Sequence, residues 1–171
     1  ILLQHPEVEV ERVTSERFHG DPVKRLHPNL RGLTDLKFSS VSDLKDVDVL
    51  FLCLPHGESM NRIKEFNAEK IIDLSADFRL KSKGNYMKWY NVEHANEELL
   101  SKFVYGLPEL HREEIKKSKF VAVPGCNATC TILGLYPLKE LLKGNIITEA
   151  KCGSSEGGNK VNEGSHHPER S

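Results

Sequence analysis

Cys126 stands in the run Pro124-Gly125-Cys126-Asn127-Ala128-Thr129, between the strand-like stretch Phe120-Val121-Ala122-Val123 and a segment from Thr129 to Tyr136 with helical character. Unpaired backbone N–H groups at a helix N-terminus favour a thiolate, which raises the nucleophilic fraction of a cysteine placed there. Gly125 permits close backbone approach, and Asn127 and Thr129 bring hydrogen-bonding groups beside the sulfur. The residues alone fit a catalytic nucleophile and also an ordinary, partly buried cysteine. Two further places carry polar chemistry at strand ends. Thr14, Ser15 and Arg17 follow the alternating residues 8–13, and Pro55 and His56 follow the apolar residues 48–54.

The elements that must position these side chains are read from periodicity and punctuation. Residues 8–13 alternate apolar and polar side chains and predict a strand ending at Thr14-Ser15. Residues 19–31, rich in Gly, Pro and His, predict irregular structure; residues 36–38 allow a short strand, and Ser42-Asp43-Leu44 a helical turn. Asp48 to Leu54 is the strongest strand signal, and its near-continuous apolarity predicts cover on both faces, as in a parallel sheet. Pro55-His56-Gly57 turns into a helix with Ser59, Met60, Ile63 and Phe66 on one face, and residues 70–75 form the next strand, completing a βαβ unit.

Beyond it, Tyr86, Trp89 and Tyr90 read as local core, Glu97 to Phe103 as a short helix, and Pro108 as the first residue of a helix through Lys117, with His111 and Arg112 on its polar surface. Gly144 closes the helical stretch after Cys126, and residues 146–150 predict a new strand before a glycine-rich polar loop. Residues 1–6 read as the last turn of a helix closed by Pro6, and the expectation is that the chain has lost what came before.

Composition narrows the function classes. The 171 residues are 38% hydrophobic, enough for one core or for one domain and part of another, and 24 Lys and Arg against 25 Asp and Glu leave a net charge of -1. That balance gives no electrostatic reason to bind nucleic acid or an anionic membrane. The longest apolar stretch is too short to span a bilayer. Cys53, Cys126, Cys130 and Cys152 are unevenly spaced with no secretory leader before them, which points to a reduced, cytoplasmic protein. No Gly-x-Gly-x-x-Gly or Gly-x-x-x-x-Gly-Lys-Ser/Thr motif is present, so periodicity supports an α/β nucleotide-binding type of fold without naming the nucleotide.

Several motifs stand in order along nearly the whole chain: Pro55-His56-Gly57-Glu58-Ser59-Met60, the run from Ile71 to Arg79, Trp89-Tyr90, Val104-Tyr105-Gly106-Leu107-Pro108-Glu109-Leu110, and the run from Pro124 to Thr129. Together they resemble the N-acetyl-gamma-glutamyl-phosphate reductase family, itself similar in architecture and chemistry to aspartate-semialdehyde dehydrogenase. Asn127 and the terminal Ser165-His166-His167-Pro168-Glu169-Arg170-Ser171 resemble the archaeal and thermophile branch, the LysW-linked aminoadipate or glutamate phosphate reductases, whose substrates ride on a small acidic amino-group carrier protein.

The resemblance implies an α/β fold: an incomplete Rossmann-like dinucleotide-binding domain over residues 1–124, lacking its initial Gly-rich loop, then the start of an α+β catalytic and dimerisation domain over residues 125–171. It implies NADP(H) as cofactor, an acyl phosphate as substrate, a homo-oligomer, and lysine or arginine biosynthesis as the setting. Cys126 would attack the acyl phosphate and form a thioester, which hydride then converts to a semialdehyde. Asn127 would orient the thioester carbonyl. Arg79 would bind a substrate carboxylate or phosphate, or be held by Asp77 in a structural ion pair.

Thr14, Ser15 and Arg17 would read the adenosine ribose, where hydroxyls and a cation favour a 2'-phosphate over the acid that binds an unmodified ribose, although the same residues also fit a solvated turn. Pro55 and His56 would lie near the cofactor, and Ser155 and Gly158 approximate a nicotinamide-side loop, with Glu156 departing from its usual glycine. The family's acid/base histidine lies in a later motif that His166 and His167 do not match, and these two read as a polar loop.

Other readings stay open at this stage. The substrate can be free N-acetyl-glutamyl phosphate, or the chain can be a catalytically inactive fragment. A zinc module built from Cys126, Cys130, Cys152, His166 and His167 is disfavoured by the absence of a close Cys-x-x-Cys pair. Cys130, one helical turn beyond Cys126, reads as a small packed residue.

Overall fold

The computed structural model describes residues 1–153 and Glu156. Ser155, Gly158, His166 and His167 lie outside the described residues. The chain forms two compact units, one of Ile1–Leu50 with Arg62–Ile71, the other of Phe51–Asn61 with the described residues from Ile72 onward.

In the first unit, a 3-10 turn at Leu2–Gln4 precedes β1 (Val13–Thr14), α1 (Val23–Leu26), a second turn at Pro28–Leu30, β2 (Phe38–Ser39) and a third turn at Val41–Asp43. β1 and β2 pair in parallel, Val13 opposite Phe38 and Thr14 opposite Ser39. Val23 and Phe38 are buried there, with Ile63, Ala68 and Ile71 from the later segment of the unit. The strand expected over residues 8–13 is thus cut to its last residue and Thr14, with Val8 exposed. Alternation supplies a face to bury, but a ladder needs a neighbour, and β2 offers only two residues. Residues 19–31, expected to be irregular, contain α1 and a 3-10 turn started by Pro28.

The main sheet contains β3 (Val47–Leu52), β4 (Ala68–Asp73), β5 (Phe103–Tyr105) and β6 (Phe120–Ala122), in the order β3-β4-β6-β5. Its helices are α2 (Glu58–Arg62), α3 (Lys83–Tyr90), α4 (Glu97–Leu100), α5 (Pro108–Lys117) and α6 (Cys126–Leu135). As the sequence predicts, Pro108 opens α5 and the βαβ unit is present. The expected cover of β3 on both faces is not found among the described residues: β3 is an edge strand, and Val49 and Phe51 remain exposed. No strand forms over residues 146–150, where Ile147 is 96% exposed. Their apolar side chains meet no ladder partner, and β propensity alone does not make a strand. β5 has no counterpart among the sequence expectations; its three residues are too short for period-two alternation to show.

Close packing fixes the β5–β6 side of the sheet. The rings of Phe78 and Phe103 stack with centroids 4.0 Å apart, and Leu100, Leu107, Val121 and Ala122 are buried as well. Gly106 donates its N–H to the Ala122 carbonyl at 2.8 Å, and a Cβ on it would lie 2.9 Å from Val121 Cγ1. Only glycine fits so close to the neighbouring strand. Tyr86 joins the core as expected, whereas Trp89 is 70% exposed because its place on α3 faces outward. No helix among the described residues is long and apolar enough to cross a membrane.

Candidate active site

The carboxyl ends of the main-sheet strands line up on one edge. Leu74, just past β4, donates to Leu52 at the end of β3 (2.9 Å); Val123, just past β6, donates to Asp73 at the end of β4 (2.8 Å). Gly106, just past β5, bonds to the end of β6. Loops leaving this edge are where an open α/β sheet binds its ligands, and three of them carry the candidate residues: 55–57, 74–79 and 123–127.

Asp77, fully buried, organises the first of these loops. Its Oδ1 accepts from Gly57 N (2.8 Å), from His56 Nδ1 (2.8 Å) and from the Tyr86 hydroxyl (3.3 Å), and its Oδ2 from Met60 N (2.9 Å). The carboxylate thereby satisfies backbone donors at the start of α2 from a different element of the chain. Because Nδ1 of His56 faces the carboxylate, Nε2 is directed away from it, and the ring rests against Tyr90 at 4.6 Å. Asp73 is fully buried too: Ser59 Oγ (2.7 Å) and Ser75 Oγ (2.6 Å) donate to it, and burial pushes its carboxyl above the ordinary range while those hydrogen bonds oppose the rise. His94 closes the web, with Nε2 donating to the Asp77 carbonyl (3.0 Å) and Nδ1 accepting from Asn96 N (3.1 Å); burial holds it below its ordinary value.

Arg79 staples the second loop to the third. Nε donates to the Val123 carbonyl (2.7 Å) and Nη2 to the Leu74 carbonyl (2.9 Å), while Nη1 would sit 3.2 Å from a Cβ placed on Gly125. The Asp77–Arg79 ion pair considered from the sequence does not form, since the Asp77 carboxylate turns toward α2 and Arg79 toward the turn before α6. Sequence spacing placed the two residues together, but the backbone after β4 sends them to opposite sides.

Cys126 is the first residue of α6, and the N-cap Gly125 contributes no side-chain cap. First-turn N–H groups of α6 are therefore left for a ligand's oxygen. Cys126 is exposed, and its thiol points to Glu156 Oε1 at 3.7 Å. Asn127 Nδ2 donates to the same oxygen (2.6 Å), and the Cys152 thiol donates to Asn127 Oδ1 (3.5 Å). Hydrogen bonds from Cys152 and Asn127 hold the Glu156 carboxyl below its usual range, and the same contact pushes the Cys152 thiol up. Cys130 is exposed rather than packed, because the face of α6 that carries it meets no cover among the described residues. Among the described residues no group of three or more His, Cys, Asp or Glu is placed to hold a metal.

In the first unit, Thr14 ends β1 and Ser15 follows it, with Ser15 N donating to the Ser39 carbonyl (3.0 Å). The Arg17 guanidinium lies 5.0 Å from the Phe18 ring centroid, and among the described residues it has no ion pair. Glu16 folds back onto the turn that follows β2, where Ser40 Oγ (2.9 Å) and Val41 N (2.8 Å) donate to it. Two hydroxyls and an uncommitted cation are a donor set that fits a phosphate. The sequence points to Asp77, Cys152 and Glu156 only in other roles: Asp77 as a mate for Arg79, Cys152 as a zinc ligand and Glu156 as a departure from a loop glycine. The alternation Asp73-x-Ser75-x-Asp77, starting at the last residue of β4, is the local signal for the carboxylate web.

This geometry defines an α/β protein whose cysteine opens a helix at the carboxyl edge of its sheet. Residues 1–118 match the family model of the semialdehyde dehydrogenase NAD-binding domain, and residues 126–171 that of the semialdehyde dehydrogenase dimerisation domain. The chain belongs to the semialdehyde dehydrogenase family.

Its relatives include a LysW-L-2-aminoadipate/LysW-L-glutamate phosphate reductase of Pyrococcus furiosus, 54% identical over 172 residues that span 100% of this chain and 51% of the relative. The protein of the same name from Saccharolobus solfataricus is 51% identical over 178 residues, 99% of this chain and 51% of its own. The LysW-L-2-aminoadipate 6-phosphate reductase of Deinococcus radiodurans is 47% identical over 175 residues, 99% of this chain and 50% of its own. The chain thus spans about half the length of the curated relatives it matches. These findings bear out the family and branch expected from the motifs, and the fold of a dinucleotide-binding domain followed by a dimerisation domain.

Proposed function

We propose that the whole protein is an NADPH-dependent reductase that converts an acyl phosphate to a semialdehyde through a thioester on Cys126. The observation that carries this is the exposed thiol at the first position of α6, behind an N-cap with no side-chain cap, on the carboxyl edge of the sheet. The Cys126 sulfur attacks the acyl carbon, the C–O bond to phosphate breaks, and inorganic phosphate leaves. NADPH, when bound, supplies the hydride for the reduction. The C–S bond then breaks, releasing the aldehyde and regenerating Cys126.

Asn127 orients the thioester carbonyl, and the first-turn N–H groups of α6 stabilise its developing negative charge. Arg79, already fastened at the turn before Cys126, offers its remaining N–H groups to a substrate phosphate or carboxylate. Thr14, Ser15 and Arg17 take the 2'-phosphate of the cofactor, and Pro55 and His56 contact it elsewhere, as do Ser155 and Gly158.

By likeness to relatives named for LysW-linked substrates, the substrate is an aminoadipyl or glutamyl phosphate on a LysW-type carrier, in lysine or arginine biosynthesis. The dinucleotide-binding part extends to residue 124, and residues 125–171 begin the catalytic and dimerisation part of a homo-oligomer. All four cysteines are free thiols, consistent with a reducing cytoplasm.

The test is acyl-phosphate-dependent NADPH oxidation by the whole protein. Cys126→Ala should lower kcat by a factor on the order of 10³ or more; retained turnover refutes the nucleophile. Carrier-linked substrate should be preferred over free N-acetyl-glutamyl phosphate, and equal turnover of the two would remove the carrier from the account.

A further inference from the structure

Between the candidates Ser15 and Arg17 at the end of β1 stands one carboxylate, Glu16, and it is tied down. Glu16 Oε1 accepts from Val41 N at 2.8 Å and from Ser40 Oγ at 2.9 Å, and Oε2 lies 3.2 Å from the same hydroxyl. Ser40 is itself the N-cap of the turn Val41–Asp43, with Asp43 Oδ2 accepting from Ser40 N at 3.1 Å in a capping box. The Val41 N–H, then Ser40, hold the Glu16 carboxyl below its usual range. Arg17, the next residue, points the other way chemically: its guanidinium rests over Phe18 and has no carboxylate partner among the described residues.

An acidic side chain after this strand of a dinucleotide fold accepts the ribose 2'-hydroxyl and repels a 2'-phosphate. Glu16 has the right chemistry for that preference but is spent on the Ser40 cap. We propose that the Glu16–Ser40 contact is a selectivity latch: by folding Glu16 away, it leaves Ser15 and Arg17 to a phosphorylated ribose and sets the preference for NADP(H) over NAD(H). This rests on the reading that the protein binds NADP(H).

Calorimetric titration of the whole protein with NADPH and NADH, and with 2',5'-ADP and 5'-AMP, tests it without turnover. Ser40→Asp keeps an N-cap while its charge expels Glu16. The ratio of NADPH to NADH affinity should fall at least about tenfold, the ratio for 2',5'-ADP over 5'-AMP should fall with it, and adding Glu16→Gln should restore both. An unchanged ratio in S40D, or no recovery in the double variant, overturns the latch. Should S40D not fold, Ser40→Ala removes one of the two donors and should shift both ratios in the same direction, with an unchanged ratio again overturning the latch. A wild-type protein that binds NADPH and NADH equally overturns the NADP reading itself, whereas a wild-type preference that S40D leaves intact overturns the latch alone.

Discussion

The end of β1 and the carboxyl edge of the main sheet hold candidate ligand residues by different means. At β1 two ladder pairs and one short turn support Thr14, Ser15 and Arg17, and the ordering contact, Glu16 to Ser40, is exposed. At the main sheet, Asp77 holds His56, and Arg79 with the Asp73 carbonyl holds the turn before Cys126, both aspartates being fully buried. Exposed contacts of the first kind can be rearranged at small cost and so tune selectivity; a buried, fully hydrogen-bonded web of the second kind fixes geometry at high stakes. If that contrast is right, substitutions in the two regions should differ several-fold in their effect on stability.

The largest effect belongs to Asp77→Ala. It leaves the N–H groups of Gly57 and Met60 and the Tyr86 hydroxyl without their acceptor, and should cost about 3–5 kcal/mol in urea unfolding. A loss under about 1 kcal/mol would erase the contrast. Gly106→Ala should cost about 1–3 kcal/mol, because its Cβ would meet Val121 Cγ1 at 2.9 Å and the Ala122 carbonyl oxygen at 3.1 Å. Ser40→Ala, on the β1 side, should cost only about 0.5–1 kcal/mol, the usual value of an N-cap. A penalty equal to that of Asp77→Ala would show that the β1 end is as tightly determined as the web.

The smallest effect is a pH dependence. Burial, partly opposed by hydrogen bonds to Asp77 and Asn96, holds His94 below its ordinary value of 6.5. As pH falls below 6.5, the unfolded chain therefore takes up a proton that the folded chain still refuses, and stability falls until the depressed folded value is passed. Thermal unfolding should show this slope, at most about 1.4 kcal/mol per pH unit, and His94→Gln should flatten it. A slope that survives the substitution would assign it to another group.

Much of the site could be read in the sequence because local signals and global placement agree. Pro124-Gly125 ends a strand, and Cys126 does open a helix. The apolar residues around Leu50 do form a strand, and Pro55-His56-Gly57 does turn into α2. What escaped was set by partners distant in sequence. Asp77 looked like a mate for Arg79 two residues away, yet its donors come from residues 56–60 and 86. Residues 8–12 and 146–150 carried strand-like patterns without a neighbour to pair with. β5, three residues long, gave no pattern at all until Gly106 and Phe120 placed it against β6. Cys152 reaches Asn127 from 25 residues away and Glu156 reaches Cys126 from 30, and no local periodicity encodes such a meeting.

The central claim is that Cys126 carries the acyl group. The most direct test is mass spectrometry of the whole protein, incubated with its acyl phosphate in the absence of NADPH and then digested. The account predicts an acyl adduct on the peptide containing Cys126, labile to hydroxylamine and discharged when NADPH is added. An adduct on another residue, or turnover with no adduct at Cys126, would contradict it.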